Sequence, residues 1–130
     1  MWDTWLDMIA RVAKRIPYTV NGGNHENDAP YYMFHEGQTP TIFPGNTNWP
    51  GGDSGGECGV PMTRLLNTPR MSYNEQWYSW DIGNVHIVAM NTEYDFSRGS
   101  PQYKFLEEDL ASVDRTVTPW IIFGGHRCVS

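Results

Sequence analysis

The segment PYTVNGGNHE at residues 17–26 and the segment PWIIFGGHR at residues 119–127 share one local design. Each begins at a proline, continues through a short run suited to a strand, and reaches two glycines followed by polar side chains. In an open α/β sheet, ligands bind at the carboxyl ends of the strands, where glycine permits tight turns and close backbone approach. The repeat therefore predicts two strand ends that meet at one cleft.

Amphipathic helices are predicted ahead of both segments. Over residues 2–16, apolar side chains recur with the 3.6-residue period of a helix, and Pro17 ends the pattern. Residues 100–114 show the same period and carry a charged outer face. The predicted apolar stripe of this second helix consists of Tyr103, Leu106, Leu110 and Val113.

Strands are predicted on either side of the second helix and next to the first. Residues 77–81 and 85–90 form a candidate hairpin, with a turn at 82–84. The second of these strands is apolar on both faces, as expected beneath packed layers. Residues 18–20 and 120–123 are predicted as short strands that enter the two glycine turns. Helices and apolar strands thus alternate, which predicts an α/β fold with at least partly parallel pairing.

Residues 27–75 are predicted to form an irregular flap. The segment is rich in Gly, Pro, Asn, Asp and Thr, and loops of this length inside compact domains are usually functional or disordered. Aromatic side chains spread through it favour an ordered surface. They are Tyr31, Tyr32, Phe34, Phe43 and Trp49.

Charge and composition narrow the class of function. The 130 residues carry a net charge of −6 and contain no block of Lys or Arg, so the footprint of a nucleic-acid-binding protein is missing. No apolar run approaches the roughly 20 residues of a membrane span, and no signal peptide is visible. Cys58 and Cys128 form no CxxC pair, so both a disulfide and two free thiols fit the sequence.

The candidate functional residues lie at the two glycine turns. Asn24 and His126 occupy equivalent places in them, so one cation can be held between an amide oxygen and an imidazole. That pair of ligand types suits Zn, Mn or Fe(II). His25 is expected to point into the same cleft, where it can hydrogen-bond a phosphate oxygen or protonate a leaving group. The competing interpretation is that these are ordinary solvated loop residues.

Other polar residues favour structural roles. His86 lies inside an apolar strand and is predicted to be packed or hydrogen-bonded. The carboxylate run at residues 107–109 fits a solvated helix face. Glu93 and Asp95 follow a strand end and are expected to shape the loop there. His35 has no motif around it.

Several stretches resemble one known family. Gly23–Glu26 resembles the GNH(D/E) signature of calcineurin-like metallophosphoesterases, and residues 53–61 (DSGGECGVP) resemble large, plant-type purple acid phosphatases. Phe123–Arg127 falls where that family has its VxxH motif. Further stretches similar to the family lie at residues 77–81, 85–86, 91–97 and 102–110.

The resemblance implies a double β-sheet sandwich flanked by helices, and hydrolysis of phosphate esters or small nucleotides through a metal-activated hydroxide. It implies Fe(III) together with Zn(II), Mn(II) or Fe(II). Asn24 and His126 are similar to two ligands of the divalent ion, and His25 is similar to the histidine that contacts phosphate. Glu26 is expected to orient its loop rather than bind metal. The resemblance also implies a secreted, extracellular or vacuolar protein.

Other family motifs lie outside this sequence. The DxG and GDxxY motifs are expected before residue 1 and the GHxH motif after Ser130, so the domain is expected to be truncated at both ends. The missing motifs carry the remaining metal ligands, including the tyrosine responsible for the purple colour. Two ligands cannot enforce a dinuclear geometry, so the isolated segment is expected to be inactive. Cys128 stands where family members often have Pro or a small apolar residue.

Two other functions fit parts of the sequence. One is a catalytically inactive metallophosphoesterase-like domain that serves as a binding or scaffold protein. The other is a different calcineurin-like enzyme, such as a nucleotidase, with the same core and another flap. The DSGGECGVP stretch argues against the nucleotidase. Intact or substituted ligand motifs in the flanking sequence would separate the enzyme from the scaffold.

Overall fold

The computed structural model describes residues 2–26, 60–66, 68 and 75–128. Within these residues, a mixed three-stranded sheet is accompanied by helices, and the strands lie side by side in chain order. The elements in chain order are helix α1 (Trp2–Ala13), helix α2 (Val60–Leu65), strand β1 (Tyr78–Ile82), strand β2 (Val85–Ala89), helix α3 (Pro101–Ser112) and strand β3 (Trp120–Gly124). This mixed sheet with helices agrees with the predicted α/β class.

Both kinds of strand pairing meet on β2. It pairs with β1 in an antiparallel hairpin, in which Tyr78 faces Ala89 and Ile82 faces Val85. Gly83 in the turn has a φ of 57°, a left-handed conformation that glycine adopts without steric cost. On its other side β2 pairs in parallel with β3, and α3 makes the crossover between them. The carboxyl ends of β2 and β3 therefore lie side by side.

Helix α1 ends three residues before the predicted boundary. The chain continues in a turn in which the Arg15 N–H donates to the Val12 carbonyl at 2.9 Å. Pro17 disfavours helical backbone at the residue before it, which explains why the helix stops short. The apolar face of α1 is half-buried, and Val12 and Ile16 at its end are exposed.

The predicted strand at residues 18–20 is wrong, because this stretch forms no strand in the described part of the chain. Its backbone bonds a side chain instead. The Val20 N–H donates to Tyr78 Oη at 3.1 Å, and Tyr78 Oη donates to the Val20 carbonyl at 2.6 Å. One buried hydroxyl thus satisfies both peptide groups of Val20 and ties the approach to the first glycine turn onto β1. Burial, partly offset by the bond to Val20, raises the pKa of Tyr78.

The predicted flap at residues 27–75 lies mostly outside the described residues. Where it is described, the prediction of irregular structure is wrong for α2. Pro61 stands in the first turn of this short helix, where its missing N–H costs nothing, and Met62 is buried. Burial of that side chain explains how so short a helix is held, since isolated helices of this length are not stable in water.

Helix α3 is placed as predicted, and its predicted apolar stripe is correct in part. Ser100 caps it by accepting a hydrogen bond from the Tyr103 N–H at 3.1 Å, and Pro101 follows in the first turn. The fully buried residue of the helix is Gln102, whereas Leu110 is exposed. Tyr103, Leu106 and Val113 are half-buried, so the predicted stripe is wrong only for Leu110. Gln102 was missed because its burial depends on its hydrogen bonds to the backbone of Asn91.

His86 is packed and hydrogen-bonded, as predicted. Its Nδ1 lies 2.6 Å from Asp81 Oδ1, and its Nε2 lies 2.9 Å from Asp109 Oδ2. Ser79 also donates to the Asp109 carboxylate. The expectation that residues 107–109 form a solvated face is therefore wrong for Asp109, which joins α3 to the hairpin.

None of the described helices is long and apolar enough to cross a membrane.

Candidate functional site

The side chains of Asn24 and His126 meet, although 102 positions separate them in the sequence. Asn24 follows the first glycine turn, and His126 follows the turn at the end of β3. Their atoms Oδ1 and Nε2 are 2.9 Å apart. The predicted convergence of these two side chains is thus present in the fold, whereas metal binding by them remains a prediction.

This contact has the form expected of two ligands that share one cation. A hydrogen bond here requires a proton on Nε2 that is donated to Oδ1, and only loss of that proton leaves Nε2 an in-plane lone pair beside the Asn24 oxygen. Donor atoms at this separation can both reach one ion at bond lengths of about 2.0–2.2 Å once that proton is lost. The donor set, an amide oxygen and an imidazole nitrogen, therefore fits a divalent ion such as Zn(II), Mn(II) or Fe(II).

Gly23 makes this approach sterically possible. A Cβ atom at this position would lie 2.9 Å from Glu26 Oε2 and 3.0 Å from His126 Nδ1. The Gly23 N–H donates to the same Glu26 oxygen at 3.0 Å. Glu26 thus closes the turn around the backbone, which agrees with the expectation that it orients the loop.

His25 stands between Asn24 and Glu26 and is exposed. Its predicted direction toward the cleft stays a prediction.

A buried polar layer supports the two turns from behind. Gln102 makes two bonds to the backbone of Asn91: its Oε1 accepts from Asn91 N at 2.7 Å, and its Nε2 donates to Asn91 O at 3.0 Å. The Asn91 side chain donates to Gln76 Oε1 at 3.2 Å and accepts from Glu93 N at 3.0 Å. Gly22 lies directly against the Asn91 amide, with no room for a Cβ atom. The first glycine turn therefore packs against Asn91, just after the end of β2.

The same end of β2 also holds the second turn. Thr92 Oγ1 accepts from Arg127 N at 3.2 Å, and the carboxylate of Glu93 pairs with the Arg127 guanidinium. Glu93 does shape the loop, as expected, but the sequence did not identify its partner or the roles of Asn91, Thr92 and Gln102. Their position immediately after a buried strand, or at the start of α3, was the available signal.

The remaining potential ligands are sparse. Among the residues that the structure describes, no group of three or more His, Cys, Asp or Glu side chains is placed to hold a metal ion. Cys128 is a free, exposed thiol, while Cys58 and His35 lie outside the described residues. Within the described part of the chain, Asn24 and His126 remain the predicted metal ligands.

Substituting Gly23 by alanine should break the ligand pair. The added methyl meets Glu26 Oε2 and His126 Nδ1 below normal contact distance, so we expect the imidazole to move away from Asn24. Loss of stability should be about 1–3 kcal/mol, as in other overpacked sites. Side-chain NMR of His126 and Asn24 would detect the separation.

The matched control is Gly83→Ala. Its Cβ atom enters open space, but its positive φ makes alanine cost about 1–2 kcal/mol. It should destabilise the chain and leave the His126 and Asn24 signals in place. If both variants perturb those signals equally, the steric role of Gly23 is wrong.

Comparisons with known proteins identify the family of this chain. The sequence profile of the calcineurin-like phosphoesterases matches residues 1–130. An Arabidopsis thaliana protein named probable inactive purple acid phosphatase 27 is 39% identical over 127 residues, which are 97% of this chain and 18% of that protein. A Hordeum vulgare protein named nucleotide pyrophosphatase/phosphodiesterase is 38% identical over 126 residues, 97% of this chain and 31% of that protein.

The fold is matched as well. The structure of purple acid phosphatase PPD1 from yellow lupin (Lupinus luteus) seeds superposes with a TM-score of 0.79 at 38% identity, covering 97% of this chain and 20% of that one. The predicted metallophosphoesterase fold is therefore confirmed. The chain spans less than a third of the length of these relatives. Since the profile match extends over the whole sequence, the chain belongs to the calcineurin-like phosphoesterase family and is homologous to the plant purple acid phosphatases.

Proposed function

We propose that this chain supplies half of the divalent-metal site, and the phosphate-contacting histidine, of a dinuclear phosphoesterase. The reaction is hydrolysis of small phosphate esters or nucleotides. The observation that carries the proposal is the 2.9 Å contact between Asn24 Oδ1 and His126 Nε2, which joins the two family motifs at neighbouring turns.

In this proposal the residues of the chain have separate tasks. Asn24 and His126 hold the divalent ion, which is Zn(II), Mn(II) or Fe(II) beside an Fe(III) bound through motifs outside this sequence. The metal pair, when bound, supplies a hydroxide nucleophile and polarises the phosphate. His25 donates a hydrogen bond to a phosphate oxygen or a proton to the leaving oxygen. Glu26 keeps Gly23 and therefore Asn24 in place.

Electrostatics favours a role for metal ions. The chain has a net charge of −6, so its own field repels a phosphate ester. Metal cations offset that repulsion locally, and they also neutralise charge that develops during attack on phosphorus. A phosphate site formed from this chain without cations would have to rely on His25 and Arg127 near the two turns.

A second candidate function is a metallophosphoesterase-like binding or scaffold domain without catalysis. The observation that favours it is the name of several relatives, which are called probable inactive purple acid phosphatases. The Hordeum vulgare relative is named as a nucleotide pyrophosphatase/phosphodiesterase, which favours catalysis on nucleotides. We favour the enzyme because Asn24, His25 and His126 all remain. A secreted or vacuolar location is proposed on the same family relationship.

A manganese titration of the 130-residue chain tests the metal site. Mn(II) is paramagnetic, so it broadens nearby NMR signals even where binding by two ligands is weak. We expect selective broadening at Asn24 and His126, and its loss in His126→Ala. His25→Ala is the matched control, since it removes the neighbouring imidazole and should retain the effect. Broadening that is insensitive to His126→Ala would overturn the assignment.

A further inference from the structure

The turn that carries His126 is held on both sides by the residues that flank Asn91, Met90 and Thr92. On one side, Gly125 lies so close to Met90 and Thr92 that a Cβ atom would be 3.1 Å from a side-chain carbon of each. On the other side, the Arg127 N–H donates to Thr92 Oγ1 at 3.2 Å. His126 therefore sits between two neighbours whose backbone positions are fixed against the end of β2.

The Arg127 side chain adds a two-point contact. Its Nε donates to one carboxylate oxygen of Glu93, and its Nη2 donates to the other at 3.2 Å. A guanidinium that bonds both oxygens of a carboxylate has a defined orientation as well as a favourable energy. This geometry fixes the orientation of the Arg127 side chain. It therefore also restrains the backbone at Arg127, one residue after His126.

The burial of the two partners shows which of them is the anchor. The Glu93 side chain is only 2% exposed, whereas that of Arg127 is 50% exposed. Glu93 is held further by its own N–H, which donates to Asn91 Oδ1 at 3.0 Å. A buried carboxylate requires a paired cation, so the half-exposed arginine is drawn onto a fixed acid rather than the reverse.

We infer that Thr92 and Glu93, acting through Arg127, are positioning residues for His126. They do not touch the metal or the substrate; they hold the imidazole where its Nε2 meets Asn24. The part of the inference that concerns metal affinity rests on the proposed function, whereas the part that concerns the imidazole does not. Supporting partners of this kind typically change metal affinity by about 10- to 100-fold when they are removed.

The alternative is a purely stabilising ion pair that closes the sheet end without directing the imidazole. The two roles differ in what they change. A stabilising pair alters the free energy of unfolding and leaves His126 in the folded protein as it was. A positioning pair changes the side-chain conformation of His126 in the folded state, even where stability is preserved.

The test uses Arg127→Lys, which keeps the charge and loses the two-point geometry, and Thr92→Val, which removes the hydroxyl acceptor at nearly constant volume. Thr92→Ser is the conservative rescue, because it retains the hydroxyl. Arg115→Lys is the matched control: Arg115 is an exposed arginine whose Nη2 donates to the Pro119 carbonyl at the other end of β3. Each variant is first confirmed as folded by its amide spectrum, so a variant that fails to fold leaves the remaining ones to decide.

The first readout is the χ1 rotamer and ring tautomer of His126 in the metal-free chain, measured by NMR. We expect one rotamer with a protonated Nε2 in the parent, Thr92→Ser and Arg115→Lys, and rotamer averaging in Arg127→Lys and Thr92→Val. A unique rotamer in all five proteins, or averaging already in the parent, would overturn the inference.

The second readout is the Mn(II) concentration that half-saturates broadening at Asn24. We expect it to rise about 10- to 100-fold in Arg127→Lys and Thr92→Val and to stay unchanged in the other two variants. An unchanged affinity despite averaging of His126 would overturn the metal part. If Mn(II) binds nowhere near Asn24 in the parent, the proposed function fails, and the rotamer result still decides the positioning role.

Discussion

Replacing His126 and His25 by alanine in the full-length protein should have different effects on metal content. His126→Ala should abolish binding of the divalent metal and therefore abolish phosphoesterase activity. His25→Ala should leave both metals bound and reduce turnover by roughly 100- to 10,000-fold, the range expected for loss of a general acid. Metal analysis of the purified variants and kinetics with an aryl phosphate would distinguish the two roles.

The different outcomes follow from the placement of the two histidines. His126 Nε2 is 2.9 Å from Asn24 Oδ1, so its removal takes away half of the proposed ligand pair. His25 is exposed beside Asn24, and in the proposed function it contacts the phosphate without binding the metal. Its effect should therefore fall on kcat rather than on metal content.

Arg115→Ala is a suitable control for both variants, since Arg115 lies at the opposite end of β3 and contacts only local backbone among the interactions described. It should retain metal and activity. Loss of metal in His25→Ala with retention in His126→Ala would show that the two roles are reversed. A full-length protein that binds both metals and still has no activity would favour the scaffold function instead.

The convergence of Asn24 and His126 was predicted from sequence, although only part of the expected topology is present. Only the second glycine turn follows a strand of the sheet, and the first is placed beside it by the close approach of Gly22 to Asn91 just after β2. The strand assignment at residues 18–20 failed for a local reason. The peptide groups of Val20 are satisfied by the hydroxyl of Tyr78, and no pattern within the segment indicates a side-chain partner so distant in sequence.

The supporting layer was not predictable for a related reason. Gln102, Glu93 and Asp109 are polar residues, and polar residues are ordinarily expected at the surface. They are buried or nearly so here because each meets a matched partner supplied by another element. Hydrophobic periodicity indicates only which apolar side chains of such an interface are buried. It therefore placed α3 correctly along the chain but missed the burial of Gln102 and the exposure of Leu110.

His86 should make the stability of this chain depend on pH. Burial alone would lower the pKa of His86, but its hydrogen bonds and charge interactions with Asp109 and Asp81 outweigh burial and raise the pKa above 6.5. Asp109 is the stronger partner, since its side chain is 13% exposed, whereas that of Asp81 is 59% exposed and is screened by solvent. Protonated His86 thus connects the hairpin to α3.

The direction of the pH effect follows from proton binding. Between pH 6.5 and the raised pKa, the folded chain holds a proton that the unfolded chain has released. The free energy of unfolding should therefore be highest below that range and fall as pH rises through the folded pKa, by at most about 1.4 kcal/mol per pH unit. Urea denaturation from about pH 6 to pH 9, a range that brackets the histidine titration, would measure it.

Removing the His86 imidazole should show how much this interaction contributes to the free energy of unfolding. In His86→Ala both carboxylates lose a charged partner, so we expect a loss of about 2–4 kcal/mol near pH 6. His86→Gln is the matched variant, because glutamine retains hydrogen bonding but does not titrate. Its stability should vary less with pH than that of the parent, and the difference between the two curves isolates His86 from His25 and His126. Parallel curves for the parent and His86→Gln would show that protonation of His86 does not stabilise the contact between α3 and the hairpin.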